Sequence, residues 1–162
     1  NNLSIFSSRP DRNLSILLDI WNDKIFPNYK LGKLLVTPSD KFSEINNIKF
    51  RKMGTHEELI KDLLKSRIFL VPGHKAELFC LAAEEARELC VPIVTLGIGS
   101  LSERVVHEKT GFIAKNHREF ADYTIELFKN DNLWSNIRSN LIQLRNSKTW
   151  EVSAKKFIDS LK

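Results

Sequence analysis

Residues Val71 to Thr95 read VPGHKAELFCLAAEEARELCVPIVT: a strand end, a Pro-Gly turn, a run of helical character and a second strand in one line. Ile68–Val71 and Ile93–Leu96 are continuous apolar runs of four residues, the pattern of parallel strands covered on both faces. Glu77 opens the helical part and Glu85 sits inside it, with seven residues between them. Eight helical steps rise roughly 12 Å and turn a little over twice, so the spacing predicts two carboxylates near one side of a helix, about a sugar's reach apart. That arrangement suits one extended ligand.

Upstream, Ile48–Met53 reads as a strand, then Gly54, then Thr55 as N-cap with Glu58 three residues on, a capping box that starts a helix over His56–Ser66. Leu31–Val36 is another strand, closed by Thr37-Pro38, and residues 39–47 are a polar, Asn-rich loop. Leu3–Phe6 is the first strand. The polar turn Ser7–Asn13 follows, then a helix with Leu14, Leu17, Leu18, Trp21 and Ile25 on its buried face, stopping near Phe26-Pro27. Downstream, Gly97–Ser100 makes a flexible turn, Glu103–Val106 a short helix and Thr110–Ile113 a last strand. After Asn116 three helical segments run to the end.

Strands alternating with helices predict an α/β fold: a Rossmann-like doubly wound parallel sheet of about six strands with helices on both faces and further C-terminal helices, one domain over residues 1–162. Ligands of such sheets sit beyond the carboxyl ends of the strands, where the strand order reverses. The turns after Ser8, Met53, Pro72 and Leu96 all fall on that edge.

Composition narrows the classes. Apolar residues make up 42% and charged residues 28%, ordinary for a soluble domain. No apolar run approaches the ~18 residues of a membrane span. Cys80 and Cys90 stand ten apart with no His or Cys cluster beside them, so they read as reduced thiols of a cytosolic protein, with no metal site. The net charge of +5 favours an anionic ligand or a lipid headgroup surface, but no RGG, RNP or zinc-finger pattern and no long basic run points to nucleic acid. The starting Asn suggests part of a longer chain.

The stretch from Glu77 to Val94 resembles the retaining glycosyltransferases of group one, whose second half carries Glu, seven residues, Glu, Ala and then a Pro-Ile/Val-Val strand. Three more segments share the resemblance: SRPDRNL (Ser8–Leu14) looks like the first strand-to-helix turn, GIGSLSE (Gly97–Glu103) like the Gly-Gly/Ala-x-x-Glu turn, and KTGFIA like the closing strand. Together they span nearly the whole chain, in the family's order. The family's fold, GT-B, pairs two Rossmann-like domains across a cleft, and this chain looks like the second, donor-binding one, without the N-terminal acceptor domain.

The resemblance implies an enzyme, a hexosyltransferase-type transferase that is metal-independent and needs no cofactor. Its donor is a nucleotide diphosphate sugar. The acceptor, a sugar, lipid or protein, is held through the missing domain, in the cytoplasm with room for peripheral membrane association. Arg12 matches the basic position of the first turn, where a guanidinium stabilises charge growing on the departing diphosphate; Arg9 is a second donor. Glu77 faces the donor sugar, and Glu85 accepts from both ribose hydroxyls. Leu78, Phe79 and Cys80 would offer backbone N–H groups at a helix N-terminus to phosphate and sugar oxygens. Met53-Gly54 matches the base-contacting turn, Gly99 passes near the diphosphate, and Glu103 matches the Glu of the short helix.

His74 is either a donor to phosphate or sugar or a loop histidine, while His56, His107 and His117 read as surface residues. Glu84 and Glu88 read as solvated charge. Trp150 resembles the segment that packs back toward the other domain. Two departures stand out: Leu78 and Cys90 occupy positions where the family has Gly. A binding module without turnover and a nucleotide-sugar epimerase-like enzyme are the competing functions.

Overall fold

The computed structural model describes residues 1–147 and 150–161. Among these, β4 (Ile68–Leu70) is fully buried, as its unbroken apolar run requires. It lies at the middle of a six-stranded parallel sheet ordered β3-β2-β1-β4-β5-β6, with β1 at Leu3–Phe6, β2 at Lys33–Val36, β3 at Ile48–Phe50, β5 at Ile93–Thr95 and β6 at Gly111–Ile113. Ile5 pairs with Leu35 on one side and Phe69 on the other, so β1 and β4 flank the point where strand order reverses.

Right-handed crossovers put successive helices on opposite faces once the winding direction changes. α1 (Leu14–Ile20) packs with α6 (His117–Lys129) on one face; α3 (His56–Lys65) and α4 (Leu81–Glu88) cover the other, and α7 (Asp131–Ser147) leans on α4 and α6. The capping box of α3 forms as expected: Thr55 Oγ1 accepts from Glu58 N and the Glu58 carboxylate from Thr55 N.

Several boundaries move. The first helix does not stop at Pro27. It widens over Trp21–Ile25, where Phe26 N–H reaches back five residues to Trp21 O, and it runs on as α2 (Phe26–Asn28) with Pro27 in its first turn. Leu31 and Met53 fall outside their expected strands. The loop at 39–47 gains definition from the core: buried Trp21 donates Nε1–H to Asn46 O at 2.8 Å, and the Asn47 amide bonds Lys30 O and Gly32 O, with both asparagines at left-handed φ. α5 (Leu101–Arg104) begins two residues before Glu103. The C-terminal α8 (Trp150–Ser160) is exposed throughout its described side chains; that of Trp150 lies outside them.

The largest correction concerns Glu77. No helix begins there. Cys80 takes a left-handed conformation (φ 59°), which ends helical propagation, and α4 starts only at Leu81. Glu77 and Glu85 therefore do not share one helix.

Candidate functional site

Because β1 and β4 are neighbours, the turns that leave them stand side by side. In the first, Arg9 and Asp11 pair at 2.5 Å, both largely exposed, and the bond from Arg9 holds the Asp11 carboxyl below its ordinary range. Arg12 turns inward. Its Nη1 lies 3.1 Å from His74 Nδ1 and its Nε 3.7 Å from Glu77 Oε2, with Arg12 22% and Glu77 18% exposed. Asn13, at φ 64°, donates Nδ2–H to Gly73 O at 2.5 Å. Asn is the side-chain-bearing residue best suited to that backbone geometry.

The β4–α4 loop is held from behind. Gly73 (φ 97°) bridges to Ile98, Ser100 N–H donates to Glu77 O at 3.0 Å, and Thr95 Oγ1 accepts from Gly97 N at 3.1 Å. Gly99, at φ 69°, lies against His74 O and Glu77 O, where a Cβ would collide with carbonyl oxygen; it supports the loop from outside the cleft. Glu77 Oε1 accepts from Cys80 N at 3.1 Å, which takes that N–H away from any ligand. Among the described residues, none supplies an acceptor for the N–H groups of Leu78, Phe79, Leu81 and Ala82. Two precede the helix and two open it, so the donor group expected at Leu78–Cys80 sits slightly later in the chain.

Arg104 braces this loop. Its guanidinium lies 4.0 Å from the centre of the Phe79 ring, donates Nε–H to Phe79 O at 3.1 Å and pairs with Glu84 at 3.2 Å. Glu84 is therefore not a solvated charge: it is 14% exposed and also paired with Arg87 at 2.5 Å. Glu88 remains near the surface, beside Arg87 and Arg145. Burial, above all, pushes the Cys80 thiol up, keeping it protonated and inert.

These elements enclose an open cleft of about 550 Å³ lined by Ser7, Ser8, Arg9, Arg12, Ala76–Ala82 and Glu85. Seven of the residues singled out from sequence line it: Arg9, Arg12, Glu77, Leu78, Phe79, Cys80 and Glu85. Met53, Gly54 and Gly99 do not. Met53 is 86% exposed, and Gly54 lies against the Glu58 carboxylate. The turn they form is nonetheless tied to the cleft by His56, the first residue of α3, whose Nδ1 is 3.7 Å from Glu85 Oε1.

Sequence reading assigned His56 to the surface; it is exposed, but its partner is the cleft carboxylate. The small residues Ser7, Ser8, Ala76 and Ala82 carried no signal beyond their place on the two turns. No group of three or more His, Cys, Asp or Glu that could hold a metal occurs among the described residues, and no helix among them is long and apolar enough to cross a membrane.

Comparison with known proteins adds to this geometry. The family described as glycosyl transferases group 1 matches residues 33–143, more than half of the chain. An uncharacterized glycosyltransferase of Methanocaldococcus jannaschii is 25% identical over 155 residues, 88% of this chain and 42% of that protein. Among solved structures, Anabaena HepE in complex with UDP-glucose superposes with a TM-score of 0.77 at 18% identity, covering 99% of this chain and 48% of that one. The C-terminal domain of the Francisella tularensis group 1 glycosyl transferase LpcC gives 0.72 at 19% identity, over 90% of this chain and 84% of that domain. The chain thus spans about half the length of HepE and of the archaeal relative, and nearly all of an isolated C-terminal domain.

Proposed function

The chain belongs to the group 1 glycosyl transferases, and from that premise we propose that it is the donor-binding half of a retaining, metal-independent transferase that acts in the cytoplasm. The observation that carries this reading is the meeting of Arg12, Glu77 and Glu85 on one cleft at the reversal of strand order.

A nucleoside diphosphate sugar laid along that cleft puts its ribose at Glu85, with the two hydroxyls donating to the carboxylate. The base then extends toward the Met53-Gly54 turn, beyond His56. The diphosphate meets Arg12 and the N–H groups of Leu78, Phe79, Leu81 and Ala82, at the positive end of α4. As the bond from the anomeric carbon to the phosphate oxygen breaks, charge collects on the leaving diphosphate, and fixed cationic donors stabilise that state more than the bound donor. Glu77, held by Arg12 and by Cys80 N, faces the sugar with its carboxylate already oriented. The acceptor hydroxyl adds to the anomeric carbon from the face the phosphate leaves and gives up its proton, so the anomeric configuration is kept. The acceptor, a sugar, lipid or protein, is supplied across the cleft by a second domain.

The test incubates the chain, and separately the complete protein that contains it, with uridine, guanosine and adenosine diphosphate sugars and a broad acceptor mixture. The complete protein transfers with retention, read from the anomeric coupling in proton NMR, while the chain alone binds donor and at most hydrolyses it slowly, since water exclusion needs both halves. Inverted product would sink the retaining mechanism. Epimerised donor would move the chain to a different chemistry.

A further inference from the structure

The cleft holds one side chain without a task in donor binding: His74, on the β4–α4 loop ahead of Glu77. Its Nδ1 lies 3.1 Å from Arg12 Nη1 and 3.1 Å from the backbone nitrogen of Ala76. Both neighbours are obligate donors, since neither a guanidinium nor a backbone N–H offers a lone pair. Nδ1 must therefore accept from both, and the imidazole proton sits on Nε2. Arg12 is thus gripped at two nitrogens, Nη1 by His74 and Nε by Glu77, while Asn13 fixes the backbone of its turn to Gly73.

We propose that His74, neutral and protonated on Nε2, is the positioning residue that aims the Arg12 guanidinium at the distal phosphate of the donor. The proposal rests on the donor-site reading. A free arginine side chain samples many rotamers, and ordering it on binding costs affinity; an acceptor already seated at Nη1 removes much of that cost. An imidazolium has no acceptor at Nδ1, so a proton there breaks both contacts at once and sets a second cation against Arg12. The charged groups around His74 are Arg12 from the β1–α1 turn and Glu77 on its own loop, with exposed Lys75 beside it in sequence. The Ile98–Gly99 segment meets it through backbone, with Gly99 against His74 O.

The test combines imidazole NMR with UDP titration of the full chain. Long-range proton–nitrogen spectra show His74 unprotonated at Nδ1. UDP affinity falls about tenfold in His74→Ala, the scale of one hydrogen bond to a charged group, while uridine affinity holds. In an Arg12→Ala background the same substitution changes nothing further. His74→Asn keeps an oxygen acceptor close to the Nδ1 position and takes no proton, so it restores UDP affinity and removes the part of the acid-side loss that His74 causes. A proton on Nδ1, an equal loss with and without Arg12, or an acid-side loss unchanged in His74→Asn overturns the proposal while leaving the donor site standing. A wild-type chain that binds none of UDP, GDP and ADP overturns the donor-site reading and the proposal together.

Discussion

Arg12 Nε and Glu77 Oε2 lie 3.7 Å apart across the point where strand order reverses, each side chain about four-fifths buried, so the two residues expected to act on the donor hold each other before it arrives. A carboxylate beside the guanidinium fixes its direction, and a departing diphosphate then completes the cation's set of partners.

Arg12→Ala is expected to weaken UDP binding by about 2 kcal/mol while leaving uridine nearly untouched, because its charge acts on phosphate alone. The difference shrinks as salt is raised, since the cleft is open to solvent. Calorimetry at two ionic strengths reads both effects. Equal losses for nucleoside and diphosphate would show that Arg12 acts through the fold.

Glu85→Gln should cost UDP about 1 to 3 kcal/mol, the range for a hydrogen bond to a charged group, and should leave pyrophosphate binding unchanged. His56, 3.7 Å from the same carboxylate but two-thirds exposed, contributes much less, so His56→Ala stays within roughly 0.5 kcal/mol. Unchanged UDP affinity in Glu85→Gln would remove the ribose assignment.

Gly99→Ala tests the support behind the loop. With φ at 69° and the carbonyl oxygens of His74 and Glu77 in the way, an added methyl strains the backbone and pushes the loop into the cleft. A loss of about 1 to 3 kcal/mol in urea unfolding is expected, together with weaker UDP binding. A stable variant with full affinity would mean that the loop tolerates displacement.

Cys90 ends α4 in a Schellman turn: Cys90 N–H bonds Arg87 O at 2.9 Å and Val91 N–H bonds Ala86 O at 2.8 Å, with Cys90 at φ 56°. Both Gly and Ala remove the thiol, but only Gly is at ease in that conformation. Cys90→Gly should therefore unfold at higher urea than Cys90→Ala, by about 1 kcal/mol. Equal midpoints would mean that the turn relaxes around the side chain.

Cys80 gives a prediction in pH. Its folded-state pKa stands above the unfolded value because the thiol is buried, so this contribution to stability is complete below the ordinary thiol range, about pH 8.5, and is lost as pH rises through the raised value. Urea midpoints from neutral to alkaline pH should decline less in Cys80→Ala than in the wild type. Native Cys80 should also resist alkylation at neutral pH. Rapid labelling there would show that the head of α4 opens readily.

The order of elements, the parallel sheet and the turns that carry Arg12, Glu77 and Glu85 were legible in the sequence alone. Buried parallel strands such as Ile68–Leu70 need unbroken apolar runs, and caps such as Thr55 with Glu58 are local chemistry that a linear reading captures. The start of α4 was not legible, because a Cys at left-handed φ is held there by contacts from distant residues: Glu77 on its N–H, and Arg104 on the preceding carbonyl and ring. Tertiary packing also decided that Glu84 is buried between two arginines while Glu85, its neighbour, faces the cleft. Adjacent helical residues differ by about 100° around the axis, and only the docked position of α4 says which direction is solvent. His74 shows the same division: the sequence places an imidazole near Glu77, but its proton goes to Nε2 because the fold brings Arg12, sixty-two residues away in the chain, against Nδ1.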